Sequence, residues 1–183
     1  MREIEIKLRA NNLEELEKKL KDSGLVISEE IKQHDVIYSN VNDTHNFDES
    51  YEGCIILRIR KENGNSIINL KQQHSGEMDN TEYETEVKDG KAMHDILLLL
   101  GWTPGVKVKK TRKKGKLGEY EICLDRVEQL GDFVELEKLT DDNADSEKIR
   151  KELFEAIEPF GLSEKDEETR GYDTQIYQLK NKK

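Results

Sequence analysis

Apolar and ionisable residues alternate from the first residues of the chain, where Glu3, Glu5 and Lys7 are interleaved with Ile4, Ile6 and Leu8. Successive side chains of an extended strand point to opposite faces, so this alternation predicts a strand over Arg2–Arg9 with one apolar and one charged face. The period-two pattern returns at Leu57-Arg58-Ile59-Arg60, Glu82-Tyr83-Glu84-Thr85-Glu86-Val87, Val108-Lys109-Lys110-Thr111-Arg112 and Val134-Glu135-Leu136-Glu137. A helical period appears in four places. Leu13, Leu16 and Leu20 follow the capping pair Asn11-Asn12 and stop at Gly24. Met93, Ile96, Leu97 and Leu100 recur over Asp89–Leu100, and Ile149, Leu153, Phe154 and Ile157 over a helix from Asp145 to Pro159. A short terminal helix is predicted over Tyr172–Leu179.

Further strands are predicted over Leu25–Tyr38, Cys54–Lys61, Ser66–Gln72, Glu119–Arg126 and Asp132–Leu139. Glu62-Asn63-Gly64-Asn65 reads as a hairpin connection. His74–Asn80, Lys113-Lys114-Gly115-Lys116 and Glu128–Gly131 read as further turns, and Ser39–Gly53 as a mobile polar loop. The run Leu97–Leu100 reads as core, and Trp102 as a packing residue at a helix end. One strand, one helix, then runs of strands broken by single helices indicate an α+β chain with an antiparallel sheet. About eight strands, each with a charged face, predict a closed eight-stranded antiparallel β-barrel flanked by helices, a tunnel with a charged lining. No linker or repeat divides the chain, so residues 1–183 are read as a single domain.

Composition sharpens this picture. Hydrophobic residues are 34% and charged residues 38% of the chain, with a formal net charge of -10. That balance argues against nucleic acid or an anionic membrane as a partner. No signal peptide and no apolar run near the ~18 residues of a span is visible, so a cytoplasmic protein is expected. Cys54 and Cys123 lack CxxC spacing and read as free thiols. His34, His45, His74 and His94 lack metal-site spacing.

The chemistry lies in the alternating charges. Glu3, Glu5, Glu84, Glu86, Asp125, Glu135 and Glu137 are acidic; Lys7, Arg58, Arg60, Lys71, Lys110 and Arg112 are basic. An antiparallel sheet with one solvated face accounts for such alternation through cross-strand ion pairs. Turned inward, the same residues suit a polyphosphate and a divalent cation: carboxylates hold Mg²⁺ or Mn²⁺, while Arg and Lys neutralise phosphate.

In order along the chain, these residues resemble the CYTH superfamily, the triphosphate tunnel metalloenzymes. The N-terminal ExExK matches Glu3, Glu5 and Lys7. The likeness continues through Asp35-Val36-Ile37-Tyr38, Leu57-Arg58-Ile59-Arg60, Lys71, Glu84-Thr85-Glu86, Lys110-Thr111-Arg112, Leu124-Asp125 and Leu130–Glu137. The resemblance implies an eight-stranded tunnel that binds a triphosphate with Mg²⁺ or Mn²⁺. By position, Glu3, Glu5, Glu135 and Glu137 resemble the metal-side carboxylates, with Asp125 as helper. Lys7, Arg58, Arg60, Lys71, Lys110 and Arg112 resemble the triphosphate grip, with Lys7 and Lys110 as its catalytic members. The chain departs from some relatives at Glu82, where they carry a basic residue, and in its long unpatterned loop. Gly131–Glu135, Thr140-Asp141-Asp142 and Arg170-Gly171-Tyr172 look most like class IV adenylyl cyclases, which convert ATP to cyclic AMP and pyrophosphate. Triphosphatases, of tripolyphosphate or of an organic triphosphate such as thiamine triphosphate, are the alternative. A non-catalytic nucleotide or polyphosphate binder is a second. A homodimer is a further family-level implication.

Overall fold

The alternation of β1 (Arg2–Arg9) sends Ile4, Ile6 and Leu8 to one face, where all three are fully buried. The computed structural model describes residues 1–40, 47 and 51–181. After β1 come α1 (Leu13–Asp22), β2 (Ile31–Asn40), β3 (Ile55–Glu62), β4 (Asn65–Gly76), β5 (Asp79–Val87) and α2 (Gly90–Leu99). They are followed by β6 (Trp102–Leu117), β7 (Tyr120–Val127), β8 (Gly131–Thr140), α3 (Ser146–Ile157) and α4 (Tyr172–Asn181). The eight strands close into a barrel in the order β1-β5-β4-β3-β2-β6-β7-β8, and every pairing is antiparallel. Among the described residues closure pairs every strand on both sides.

The main apolar core lies outside the barrel. Ile4, Ile6, Leu8, Ile122, Leu124, Val134 and Leu136 on the outer sheet face pack under Leu13, Leu16 and Leu20 of α1 and Ile149, Leu153 and Ile157 of α3. Each such burial contributes about 1.5–3 kcal/mol. The Asn12 side chain caps α1 by accepting from the Glu15 amide, and Asp145 caps α3 by accepting from Lys148. A second cluster lies under α2, where Leu97 meets Tyr38, Leu57 and Ile59. Trp102 packs against this cluster, but as the first residue of β6.

A third cluster closes one end of the barrel. Ile37, Val106, Val108, Val127 and Phe133 pack with Tyr172 and Ile176 of α4. Ile37, Val108 and Phe133 share their strands' parity with Asp35, Lys110 and Glu135, so they face inward. At the opposite end the cavity is bordered by the exposed residues Met1, Glu119 and Leu139. The tunnel is therefore open at one end and plugged by α4 at the other.

Several local expectations are corrected. Lys113–Lys116 is not a turn: β6 continues to Leu117, with Lys114 opposite Cys123 and Lys116 opposite Glu121. Gly115 is small because Ile27 crosses it closely, where an added Cβ would meet Ile27 Cδ1 at 2.7 Å. The turn lies instead at Gly118-Glu119, where Gly118 has φ 64°. The strand expected from Leu25 starts at Ile31, and the His74–Asn80 turn shrinks because β4 runs to Gly76 and β5 begins at Asp79. Of Leu97–Leu100 only Leu97 is core, and Leu99 is 89% exposed. A helix on a sheet buries one stripe, so consecutive leucines cannot all face it. In the expected loop, Ser39 and Asn40 belong to β2; residues 41–46, with His45 among them, and 48–50 lie outside the described residues. The β3–β4 hairpin is as expected: Asn63 and Gly64 have φ 50° and 86° between paired Glu62 and Asn65.

Candidate active site

The inward faces of the strands enclose a cavity of about 640 Å³. Its position is set by the outer core: anchoring Ile4, Ile6 and Leu8 beneath α1 and α3 forces Glu3, Glu5 and Lys7 inward. Glu5 lies opposite Glu137, and Lys7 opposite Glu135, across the β1–β8 seam.

The carboxylates of Glu3, Glu5 and Glu137 form one group, with an oxygen of each within 4.8 Å of the others. Burial, and repulsion from Glu135 and Glu3 against the opposing pull of Lys71, push the Glu5 carboxyl up to about 7. Burial and then Glu3 push Glu137 well above its ordinary value, against the pull of Arg112. Hard oxygen donors, held together with too little compensating charge, are what a divalent cation requires. Glu121, Cys123 and Glu137 form an adjoining group at the same spacing. Neither cysteine is in a disulfide; Cys123 is fully buried and Cys54 half-buried.

The basic residues line the remaining wall, each engaged by a carboxylate. Lys71 Nζ lies 2.9 Å from Glu3 and 3.0 Å from Glu82. Burial acts to lower the Lys71 ammonium, but Glu3, Glu5 and Glu82 raise it well above its usual value. Arg60 donates two 2.8 Å hydrogen bonds to Asp35, and Arg58 lies 3.7 Å from both Asp35 and Glu82. Arg112 forks onto Asp125 at 2.7 and 2.6 Å and also binds Glu135. Lys110 donates to Asp125 at 2.8 Å. Lys7 donates to the Arg170 carbonyl at 3.0 Å and lies 3.9 Å from Glu135.

The structure thus brings Glu3, Glu5 and Glu137 together, with Lys71 beside them and Lys7, Arg58, Arg60, Lys110 and Arg112 along the same cavity. It does not bring Asp125 to the acidic group. That residue is fully buried, with its oxygens taken by Lys110, Arg112 and the Tyr172 hydroxyl. Glu135 is likewise a counter-ion. Burial acts to raise its carboxyl, but Arg112, Lys110 and Lys7 hold it well below the usual range. Glu84 and Glu86 are both exposed, and of the two Glu84 borders the cavity. Glu82, singled out in the sequence as a departure from relatives, adds a carboxylate to the wall beside Lys71, whereas Asp35 and Tyr172 are participants without an assigned role; the parity of Asp35 with Gln33 and Ile37 was the available signal.

Asp35 yields a stability prediction. Burial would raise its carboxyl, but the Arg60 hydrogen bonds and the charges of Arg58 and Arg60 hold it at about 2 against an ordinary 3.8. Its contribution, about 2 kcal/mol, is present above the unfolded value and lost as pH falls through the folded one. Asp35→Asn leaves Arg60 without its partner and is expected to lower stability at neutral pH by about 3–5 kcal/mol. Urea unfolding followed from neutral to strongly acid pH should show a shallower acid loss in the variant; parallel curves would refute the pairing as the cause.

A family model described as the CYTH domain matches residues 1–172. A Methanocaldococcus jannaschii protein bearing a provisional adenylate cyclase name is 30% identical over 165 residues, covering 89% of this chain and 91% of that one. The structure of a Pyrococcus horikoshii protein superposes with a TM-score of 0.78 at 29% identity, covering 93% of this chain and 96% of that one. A Hippeastrum protein, provisionally named an adenylyl cyclase and described as having a dominant triphosphatase activity, shares the fold. Its TM-score is 0.62 at 14% identity, with 98% of this chain and 95% of that one covered. Among the described residues no helix is long and apolar enough to cross a membrane.

Proposed function

The chain belongs to the CYTH domain family, and from that premise we propose that it is a divalent-cation-dependent enzyme acting on triphosphates, cyclising ATP to cyclic AMP and pyrophosphate. The observation that carries this reading is the order of charges along the tunnel. On β1 the sequence from the open end inward is Glu3, Glu5, Lys7 and Arg9, and Arg9 donates to Gln175 of the plugging helix at 2.6 Å. The acidic trio, with Lys71 beside it, lies toward the mouth, and Lys7 and Lys110 lie deep, where Glu77 and Asp173 also border the cavity. A nucleoside cannot pass the apolar plug, so ATP enters terminal phosphate first. Its γ-phosphoryl group then rests against Lys7 and Lys110, and its α-phosphoryl group comes level with Glu3, Glu5 and Glu137.

Those three carboxylates would hold Mg²⁺ or Mn²⁺, whose Lewis acidity polarises a phosphoryl oxygen. The chain's own task is placement. Arg58, Arg60, Lys110 and Arg112 neutralise the β- and γ-phosphoryl groups, and their charges stabilise pyrophosphate as it departs. The ribose, nearer the mouth, presents its 3′-oxygen to the α-phosphorus, and the α–β bond breaks. All the basic residues exchange a carboxylate for a phosphate when the ligand arrives, so they stay oriented without it.

A second reading has specific support in the triphosphatase described for the Hippeastrum neighbour. Tripolyphosphate in the same seat places a terminal phosphorus, not an α-phosphorus, level with the trio, where water is the nucleophile. One geometry then serves both reactions, and the substrate decides between them. The test is product analysis with ATP and, separately, tripolyphosphate, each with Mg²⁺, Mn²⁺ or chelator. Cyclic AMP with pyrophosphate is expected from ATP, and orthophosphate with pyrophosphate from tripolyphosphate. ADP with orthophosphate from ATP would reverse the ligand in the tunnel and overturn the cyclase assignment.

A further inference from the structure

Lys7 and Lys110 come from opposite sides of the β1–β8–β7–β6 arc, yet their ammonium groups converge on one aromatic ring. Lys7 Nζ lies 4.5 Å and Lys110 Nζ 4.8 Å from the centroid of Tyr172. The Tyr172 hydroxyl donates at 3.0 Å to Asp125 Oδ2, the same oxygen that accepts from Lys110 at 2.8 Å. Lys7 is tied a second time to this segment through the Arg170 carbonyl. All three side chains are buried: Lys7 is 1%, Lys110 6% and Tyr172 8% exposed.

We propose that Tyr172 is the positioning residue of the triphosphate grip, its ring holding the Lys7 and Lys110 ammonium groups at the closed end of the tunnel to receive one phosphoryl group. The inference rests on the triphosphate reading and adds to it a residue that reaches the ligand only through the two lysines. The physical reason for a ring at this point is charge. Two buried ammonium groups brought together repel one another. Asp125, which accepts from Lys110, and Glu135, 3.9 Å from Lys7, offset part of that repulsion, but both are shared with Arg112. The negative face of an aromatic ring attracts both cations and carries no formal charge, so it orients them and leaves them available. A plug alone would not need this chemistry; Ile176, in the same apolar cluster, shows what a purely packing residue of α4 looks like.

The experiment measures affinity for inorganic tripolyphosphate by calorimetry with chelator present, on wild-type protein and on Tyr172→Phe, Tyr172→Leu, Ile176→Ala and Lys110→Ala. Tyr172→Phe keeps the ring and is expected to bind close to wild type. Tyr172→Leu is expected to bind roughly tenfold to hundredfold more weakly. Ile176→Ala loosens the same plug and is expected to lower the melting temperature while leaving affinity unchanged. Wild-type affinity in Tyr172→Leu, or an equal loss in Ile176→Ala, would overturn the positioning role. That role would also fall if Tyr172→Phe bound as poorly as Tyr172→Leu, since the hydroxyl would then be the active part. A wild-type protein that does not bind, or a Lys110→Ala variant that binds as well as wild type, would overturn the triphosphate reading itself. Steady-state kinetics with ATP should agree, with the KM of Tyr172→Leu rising more than its kcat falls.

Discussion

Glu5→Gln is expected to reduce turnover by on the order of 10³-fold or more while making the metal-free protein more stable at neutral pH. The loss follows if Glu5 holds the cation, because Lewis-acid stabilisation of a phosphoryl transfer is worth several kcal/mol and each 1.36 kcal/mol is about tenfold in rate. The gain follows from linkage. The Glu5 carboxyl stands at about 7 in the folded chain against an ordinary 4.5, because burial comes with neighbouring Glu135 and Glu3. Folding therefore favours its protonated form, and stability falls as pH rises from the unfolded value through the folded one, by up to about 3 kcal/mol. Glutamine has nothing to ionise, so the variant's melting temperature in chelator should stay flatter across that window and end higher. Opposite signs for activity and stability separate a ligand-holding carboxylate from a structural one. Turnover within a few-fold of wild type at saturating Mg²⁺ and Mn²⁺ would remove Glu5 from the cation site.

Arg112→Ala is expected to be the most destabilising single truncation in the tunnel, by about 3–5 kcal/mol in urea unfolding. The guanidinium is shared by Asp125, Glu135 and, at 3.7 Å, Glu137. Burial acts to depress it, but Asp125, Cys123 and Glu135 hold it well above its usual value. Removing it strands several buried carboxylates at once, whereas losing Lys110 leaves Asp125 with both Arg112 and Tyr172. Arg112→Lys should recover only part of the loss, because an ammonium cannot reproduce the two-pronged contact with Asp125. Full recovery with lysine would mean that charge alone, not the planar fork, organises this wall. Activity should fall with stability in Arg112→Ala, and high tripolyphosphate should not restore it.

What could be read from the residues, and what could not, follows from the range over which each signal acts. Strand parity is local, so Ile4, Ile6 and Leu8 against Glu3, Glu5 and Lys7 already assign the two faces of β1. Closure into a barrel does not follow from parity alone, because one solvated sheet face accounts for the same alternation; the ordered likeness to the tunnel family is what points to it. Helix faces were less legible. The stripe in α2 was visible, but the neighbouring Leu98, Leu99 and Leu100 are apolar and nonetheless exposed, because what a helix buries depends on the breadth of sheet beneath it. Lys113–Lys116 has the composition of a turn, yet it extends a strand, since Gly115 answers a chain crossing from Ile27 rather than a reversal. Asp125 and Glu135 have the parity of cation ligands; their partners Arg112 and Lys110 stand on β6, next to the strand of Asp125 and two strands from that of Glu135. Tyr172 stands in a segment without strand periodicity and more than 160 residues from Lys7 in the chain, and no local pattern joins the two.

The β1–β8 seam has a consequence for how the protein comes into being. Glu3 and Glu5 stand far before Glu137 in the chain, and Glu5 meets Glu137 only when β1 pairs with β8. Contacts so distant in sequence form late, because the intervening chain must be ordered first. A half-folded chain therefore has no assembled acidic trio. The seam makes the site conditional on folding: the three carboxylates meet only in molecules whose β1 and β8 have paired.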